Sequence, residues 1–344
     1  MHVLTAGSLE NDAILFLHGN TSSSIIWEEV MAALSHKFYC IAPDLRGYGL
    51  TDSTTLIDAT RGVKDWVDDI DALAQALKIE DMHIIGHSLG GWLTYGCIAY
   101  LKTTISDAVL IAPGSPYGFS GTHGSEGFPN NEDFSGTGGG MVHPKLVELL
   151  KKREREISDP LFSPRAIMNR LFWKEGFKAE REEDFLTSML QMHLGEKQYP
   201  GDGIESKYWP GVAPGKFGPV NAISPKYNQH LTNDFLKNNS KPPILWLHGT
   251  DDFIVSDTSL SDTGYQGKIG LRTGWPGEEV YPPQPMITQT RNVMDKYRDK
   301  GGIAIERLIK GSGHSPFIEK FDETLTELNI FLNNNHKNNT EFSC

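Results

Sequence analysis

The sequence predicts an α/β fold, a mostly parallel, doubly wound sheet with a helical and loop-rich insertion. Three observations carry this. Short, continuous, β-branched apolar runs bounded by Gly, Pro and Asp have the form of strands buried on both faces. They alternate with apolar residues spaced by three and four, the helical period. That alternation stops at Pro113 and resumes only at Pro242-Pro243. Strand–helix–strand order implies parallel pairing with right-handed crossovers.

Taken in order, residues 2–6 supply one short edge strand and 13–17 (Ala-Ile-Leu-Phe-Leu) the first buried one. Residues 38–42 form the next. Trp66, Val67, Ile70, Leu73, Ala74 and Leu77 then mark one face of a helix whose other positions carry Asp65, Asp68, Asp69 and Asp71. Residues 83–85 are a strand, 89–101 a helix apolar on nearly every side and hence buried, and 108–112 another strand. The insertion 113–240 opens with a Gly-rich stretch, 114–140, which holds Gly114, Gly118, Gly121, Gly124, Gly127, Gly136, Gly138, Gly139 and Gly140. Helices are expected at 143–157, 165–173 and 182–194, followed by irregular chain over 195–227. The alternation returns with strands at 244–247 and 303–309, and an amphipathic helix carries Phe317, Ile318, Phe321, Leu325 and Leu328. Between those strands lies a second, lid-like insertion, 256–290. The expected organisation is thus a core of residues 1–112 and 241–344 with a cap at 113–240. Irregular segments this long inside a compact domain signal a binding or lid role.

Composition removes several function classes. The 344 residues carry a net charge of −12, and phosphate binding needs Lys/Arg clusters, so nucleic acid is not an expected partner. The basic run Lys151-Lys152-Arg153 is interleaved with Glu148, Glu154 and Glu156 and reads as a solvated helix face. Cys40, Cys97 and Cys344 have neither disulfide nor metal spacing; Cys40 and Cys97 sit in apolar runs and read as small buried hydrophobes. No basic stretch followed by an apolar core opens the chain, and no run of 18 apolar residues occurs in it. A soluble, cytoplasmic protein without a membrane partner is the expectation.

The sharpest chemical signal is Gly86-His87-Ser88-Leu89-Gly90-Gly91, placed between a strand and a helix. A serine on such a turn needs glycines because the backbone is forced into unusual φ/ψ and its neighbours crowd it. The helix N-terminus adds N–H groups and positive dipole beside the hydroxyl. A serine nucleophile also needs a base and an oxyanion hole. A later strand, 244–247, runs into His248-Gly249-Thr250-Asp251-Asp252, and the last strand leads to Gly311-Ser312-Gly313-His314. That is the order Ser, Asp, His. The first strand ends His18-Gly19-Asn20, so the backbone N–H groups of Asn20 and Leu89 are the candidate oxyanion donors. His18 precedes the nucleophile and is read as a structural residue of its loop, and His87 as pointing away from the elbow tip. His83 and His87 lack a third ligand, so no metal or cofactor is expected.

These segments, with Asp44-Leu45-Arg46-Gly47-Tyr48-Gly49, resemble those of α/β-hydrolase-fold serine hydrolases across residues 13–335. The resemblance implies a Ser88–His314–Asp252 triad, because the usual acid lies three residues beyond the strand-end glycine; Asp251 stays open as the alternative. Two departures stand out. The usual N-terminal antiparallel hairpin is reduced to one short strand, and the acid-to-histidine interval is stretched by the insertion after Val255.

The expected reaction is cleavage of a carboxylic ester or related acyl bond through an acyl-serine, with a medium-sized, uncharged or weakly polar small-molecule ester or lactone as substrate. Haloalkane dehalogenases and epoxide hydrolases of this fold use Asp at the elbow, which Ser88 cannot replace. Lactonases, carbon–carbon bond hydrolases and cofactor-free haloperoxidases share the serine triad and remain alternatives, as does a ligand receptor on the same fold. Both insertions are rich in aromatics, and Trp209, Trp275 and Phe119 are taken as pocket residues. A homodimer is left open.

Overall fold

The structure, a computed structural model, describes residues 1–339; Cys344 lies outside the described residues. Seven strands form one sheet: β1 (Val3–Ala6), β2 (Ala13–Leu17), β3 (Tyr39–Pro43), β4 (Asp81–His87), β5 (Thr104–Ile111), β6 (Ile244–Gly249) and β7 (Ala304–Ile309). Their order is β1-β3-β2-β4-β5-β6-β7. Only β1 is antiparallel, pairing Val3 with Pro43 through Ala6 with Cys40; every other pair is parallel. The β2 and β3 residues are all buried, as continuous apolar runs require of central strands.

The longer helices between the strands are α1 (Glu28–Leu34), α2 (Lys64–Leu77), α3 (Leu89–Tyr100), α4 (Pro144–Lys151), α5 (Pro164–Leu171), α6 (Glu182–Leu190), α7 (Leu231–Lys237), α8 (Met286–Asp299) and α9 (Phe321–Asn339). The α2 stripe buries Trp66, Val67, Ile70 and Ala74, and α3 buries ten successive residues, Leu89 to Ile98, as their patterns predict. Cys40 and Cys97 are buried and unpaired. Burial pushes the Cys40 thiol up to about 12, which makes it an inert hydrophobe.

Several elements differ from the sequence reading. All three predicted helices of the insertion end early. The first stops because the charged run turns: Arg153 has φ 52°, and the Glu154 N–H returns to the Leu149 carbonyl at 3.0 Å. The last predicted helix is broken in two at Lys320, giving a turn at Pro316–Glu319 before α9. Residues 286–290, read as the end of the second insertion, are the first turn of α8.

Residues 113–240 connect adjacent strands, leaving β5 and returning as β6. The four loops that follow β2, β4, β6 and β7 carry the candidate chemistry. All four leave the same carboxyl edge of the parallel sheet, where open α/β folds place their ligands.

Candidate active site

β4 ends at His87 and α3 starts at Leu89, which leaves one residue for the reversal. Ser88 makes it with φ 55° and ψ −112°, an unfavourable conformation for a residue with a Cβ. The neighbours must then be glycine. A Cβ on Gly86 would lie 2.3 Å from the Gly90 carbonyl oxygen, and one on Gly90 would lie 2.1 Å from that of Leu17. The turn is fixed at its base by the Ser88 N–H, which donates to Ile111 O at 2.9 Å.

Across the cavity His314 and Asp252 meet. The Nδ1–H of His314 donates to Asp252 Oδ2 at 2.8 Å, and both side chains are buried. A carboxylate can only accept, so the proton sits on Nδ1 and Nε2 is left basic. Asp252 is itself held: its Oδ1 accepts from the N–H groups of Ile254 (2.7 Å) and Val255 (2.9 Å). Asp251 turns the other way and pairs with Lys174 Nζ at 2.9 Å. The acid and histidine loops are joined through the Asp251 N–H, which donates to Ser312 O (2.9 Å), and the Gly311 N–H, which donates to Thr250 Oγ1 (3.0 Å). Ser88 and His314 line the same cavity. Among the described residues the Ser88 hydroxyl has no hydrogen bond, which leaves it free to face the cavity.

Asn20 and Leu89 also line this cavity. Gly19 brings the Asn20 backbone close, since a Cβ on Gly19 would stand 3.1 Å from Ser88 Cβ. Leu89 opens α3, and the first N–H groups of a helix have no partner within it. The Asn20 side chain is committed elsewhere, its Oδ1 accepting from Tyr48 Oη at 2.8 Å. His18 sits beneath the loop: Nε2 accepts from the Leu45 N–H at 3.0 Å, and Nδ1–H donates to Gly19 O at 2.8 Å. Burial lowers its pKa and keeps the ring neutral.

The cavity encloses about 290 Å³. One wall is apolar and comes from the insertion: Met141, Leu146, Ile167, Leu171, Phe172 and Met189. Another, where Ser120, Ser261, Thr263 and Gln266 lie, is polar but uncharged. Among the described residues no Lys, Arg, Asp or Glu lines it. Phe119 is a lining residue. Trp209 and Trp275, also taken as pocket residues from the sequence, are not among its lining residues. Both half-buried indoles close over Gly267, whose absent Cβ would lie 2.7 Å from Trp275 Cγ and 3.0 Å from Trp209 Cη2. Their Nε1–H groups donate to Tyr281 O (2.9 Å) and Thr273 O (3.0 Å). They brace the second insertion rather than face Ser88.

Two participants escape a sequence reading. His87 Nε2–H donates to the His314 carbonyl at 2.9 Å, and burial, then the neighbouring His314, drive its pKa well below normal. Glu319 accepts from the Gly313 N–H at 2.9 Å. The first bond leaves no local pattern because its partner lies 227 residues away, and the second depends on how the loop before Pro316 turns back on the helical turn that follows it.

A family model described as the alpha/beta hydrolase family matches residues 14–327. The chain belongs to this family. Among curated members it is similar to 2-(acetamidomethylene)succinate hydrolase of Mesorhizobium japonicum, 40% identical over 77 residues, which are 22% of this chain and 27% of that one. It is also similar to cis-3-alkyl-4-alkyloxetan-2-one decarboxylase of Shewanella oneidensis, 28% identical over 116 residues, 33% of this chain and 36% of that one. The chain thus spans about a third of the length of these relatives. A solved structure, MenH from S. aureus, superposes with a TM-score of 0.59 at 16% identity over 97% of this chain and 99% of that one. That likeness extends the shared alpha/beta hydrolase fold to nearly the whole chain. Among the described residues no helix is long and apolar enough to cross a membrane.

Proposed function

We propose that this member of the alpha/beta hydrolase family is a serine hydrolase of uncharged carboxylic esters or lactones with a short to medium apolar acyl group. The carrying observation is the 2.8 Å His314–Asp252 bond, facing the cavity that Ser88 enters from its positive-φ turn. In the reaction, His314 Nε2 takes the Ser88 proton as Oγ attacks the carbonyl carbon. Asp252 fixes the ring tautomer and stabilises the imidazolium. The Asn20 and Leu89 N–H groups receive the oxyanion, each such donor being worth about 3–4 kcal/mol. His314 then protonates the leaving oxygen, and water, deprotonated by the same ring, releases the acid and restores Ser88.

The substrate class follows from the walls. An anionic substrate needs a cation to replace its hydration, and among the described residues no Lys or Arg lines the cavity. The succinate-named relative therefore does not suggest the substrate here. The volume of about 290 Å³ lies at the small end of the usual ligand-pocket range, roughly 300–1,000 Å³, and suits a medium-sized molecule.

The test is a panel of p-nitrophenyl esters and lactones scored by kcat/KM, with a fluorophosphonate label on wild type and Ser88→Ala. Turnover of neutral esters with labelling lost in the variant is expected. Labelling of Ser88→Ala at the wild-type rate removes Ser88 as nucleophile; tight ligand binding without turnover favours a receptor.

A further inference from the structure

We infer that Glu319 is a positioning residue that holds the His314 loop and the 172–177 segment of the large insertion on one carboxylate, so that the wall of the acyl cavity and the base are set in register together. Its Oε1 accepts from the Gly313 N–H at 2.9 Å, the Ser312 hydroxyl at 3.2 Å and the Ser315 N–H at 3.3 Å. Oε2 accepts from Gly313 N–H at 3.0 Å and from the Lys174 N–H at 2.7 Å. The backbone on both sides of His314 is thus bound by one ionised acceptor, and such bonds are stronger than neutral ones. No cation forms an ion pair with Glu319 among the described residues, so these N–H and O–H donors are its partners.

The Lys174 bond gives the arrangement its second half. Leu171 and Phe172 line the cavity, and Trp173 follows them, buried in a ring cluster with Phe177 and Phe185. This backbone lies directly on the histidine loop: a Cβ on Gly313 would come within 2.6 Å of Lys174 N and 2.7 Å of the Trp173 carbonyl carbon. Lys174 is gripped again from the acid loop by Asp251. The residues that flank Asp252 and His314 therefore close on one point of the insertion, next to side chains that an acyl chain would touch. A displacement there moves the base, and errors near 1 Å in such geometry can cost on the order of 100-fold in rate.

The inference rests on His314 being the base, and the experiment separates the two. Wild type, Glu319→Gln, Glu319→Asp, Gly313→Ala and His314→Ala are compared for kcat and KM on p-nitrophenyl acetate and hexanoate, for fluorophosphonate labelling rate, and for thermal midpoint. His314→Ala should abolish turnover; turnover at the wild-type rate overturns the triad reading itself. Given that loss, Glu319→Gln should lower kcat on hexanoate by roughly 10- to 100-fold, with KM changed less than about threefold and labelling slowed in parallel. Glu319→Asp, which keeps the charge, should recover part of it. Gly313→Ala, which keeps the carboxylate but wedges the two segments apart, should reproduce the kcat loss. Wild-type kcat and labelling in folded Glu319→Gln overturn the inference, as does a loss matched by the fraction of unfolded protein and not relieved by Asp.

Discussion

His87 and His314 stand with ring centroids 4.8 Å apart, and the first donates from Nε2 to the backbone carbonyl of the second at 2.9 Å. The residue before the proposed nucleophile thereby fixes the backbone of the proposed base. Because burial and His314 itself keep His87 neutral, no second positive charge faces the imidazolium that forms during attack. Replacing His87 by Phe keeps the ring contact with Phe317 and deletes the donor. Loss of one buried partner costs roughly 1–3 kcal/mol. The thermal midpoint and the phosphonate labelling rate should both fall, the rate by about 10-fold. An unchanged labelling rate would sink the role assigned to this bond.

The two adjacent acids make a clean comparison. Asp252 reaches His314 at 2.8 Å, whereas Asp251, more than a third exposed, pairs with Lys174 at 2.9 Å and accepts from the Thr250 hydroxyl at 3.4 Å. Asp252→Asn should lower kcat on the order of 10⁴-fold, the effect of the equivalent change in a serine protease. Asp251→Asn should change it by only a few-fold. Reversed magnitudes in a kcat comparison would move the acid by one residue.

Acyl-chain preference should follow the insertion helices and not the indoles. Leu146→Trp fills the apolar wall and should cut kcat/KM for hexanoate at least 10-fold relative to acetate. Trp209→Ala should leave that ratio intact while lowering the thermal midpoint, since its ring packs edge-on to Tyr281 at 4.8 Å. A ratio that moves with Trp209 instead would return the indole to the pocket.

Asp262 gives a pH dependence of stability. Burial pushes its carboxyl up to about 6 from 3.8, although Ser120 Oγ–H (2.8 Å) and the N–H groups of Tyr265 (2.8 Å) and Gln284 (3.1 Å) pull it down. The folded state therefore holds this proton more tightly than the unfolded one. The resulting stabilisation is complete below pH 3.8 and is lost as pH rises to about 6, at most ~3 kcal/mol. Thermal midpoints taken from pH 4 to 6.5 should fall more steeply for wild type than for Asp262→Asn. Parallel slopes would contradict the shift.

What the sequence makes legible divides along physical lines. Strands buried on both faces leave continuous apolar runs, so the β2 to β6 runs could be placed within a few residues. Ser88 could be read because its turn tolerates only glycine at 86 and 90, a constraint written in the chain itself. Helix α8 could not, because its buried face includes Gln289 and Thr290, whose polarity masks the period. Gln289 is there to accept from Ser115 Oγ at 2.6 Å. Likewise Met141 and Leu146 reach the cavity while Trp209 does not, an outcome set by how two insertions pack against each other rather than by residue type. His87 binds the remote His314 carbonyl and Glu319 the remote Lys174 N–H, pairings that composition cannot reveal.

The order of the strands bears on when hydrolytic competence arises. Ser88 and its glycine turn are synthesised early, but Asp252 and His314 arrive only with the last two strands, after the long excursion that separates neighbours β5 and β6. On the proposed triad, a chain emerging from the ribosome carries its nucleophile through most of translation without a base to activate it. Joining β5 to β6 is a long-range closure, and such contacts form late. On that reading the nascent serine is chemically silent, and reactivity toward a phosphonate should mark completion of the carboxyl-terminal part of the sheet.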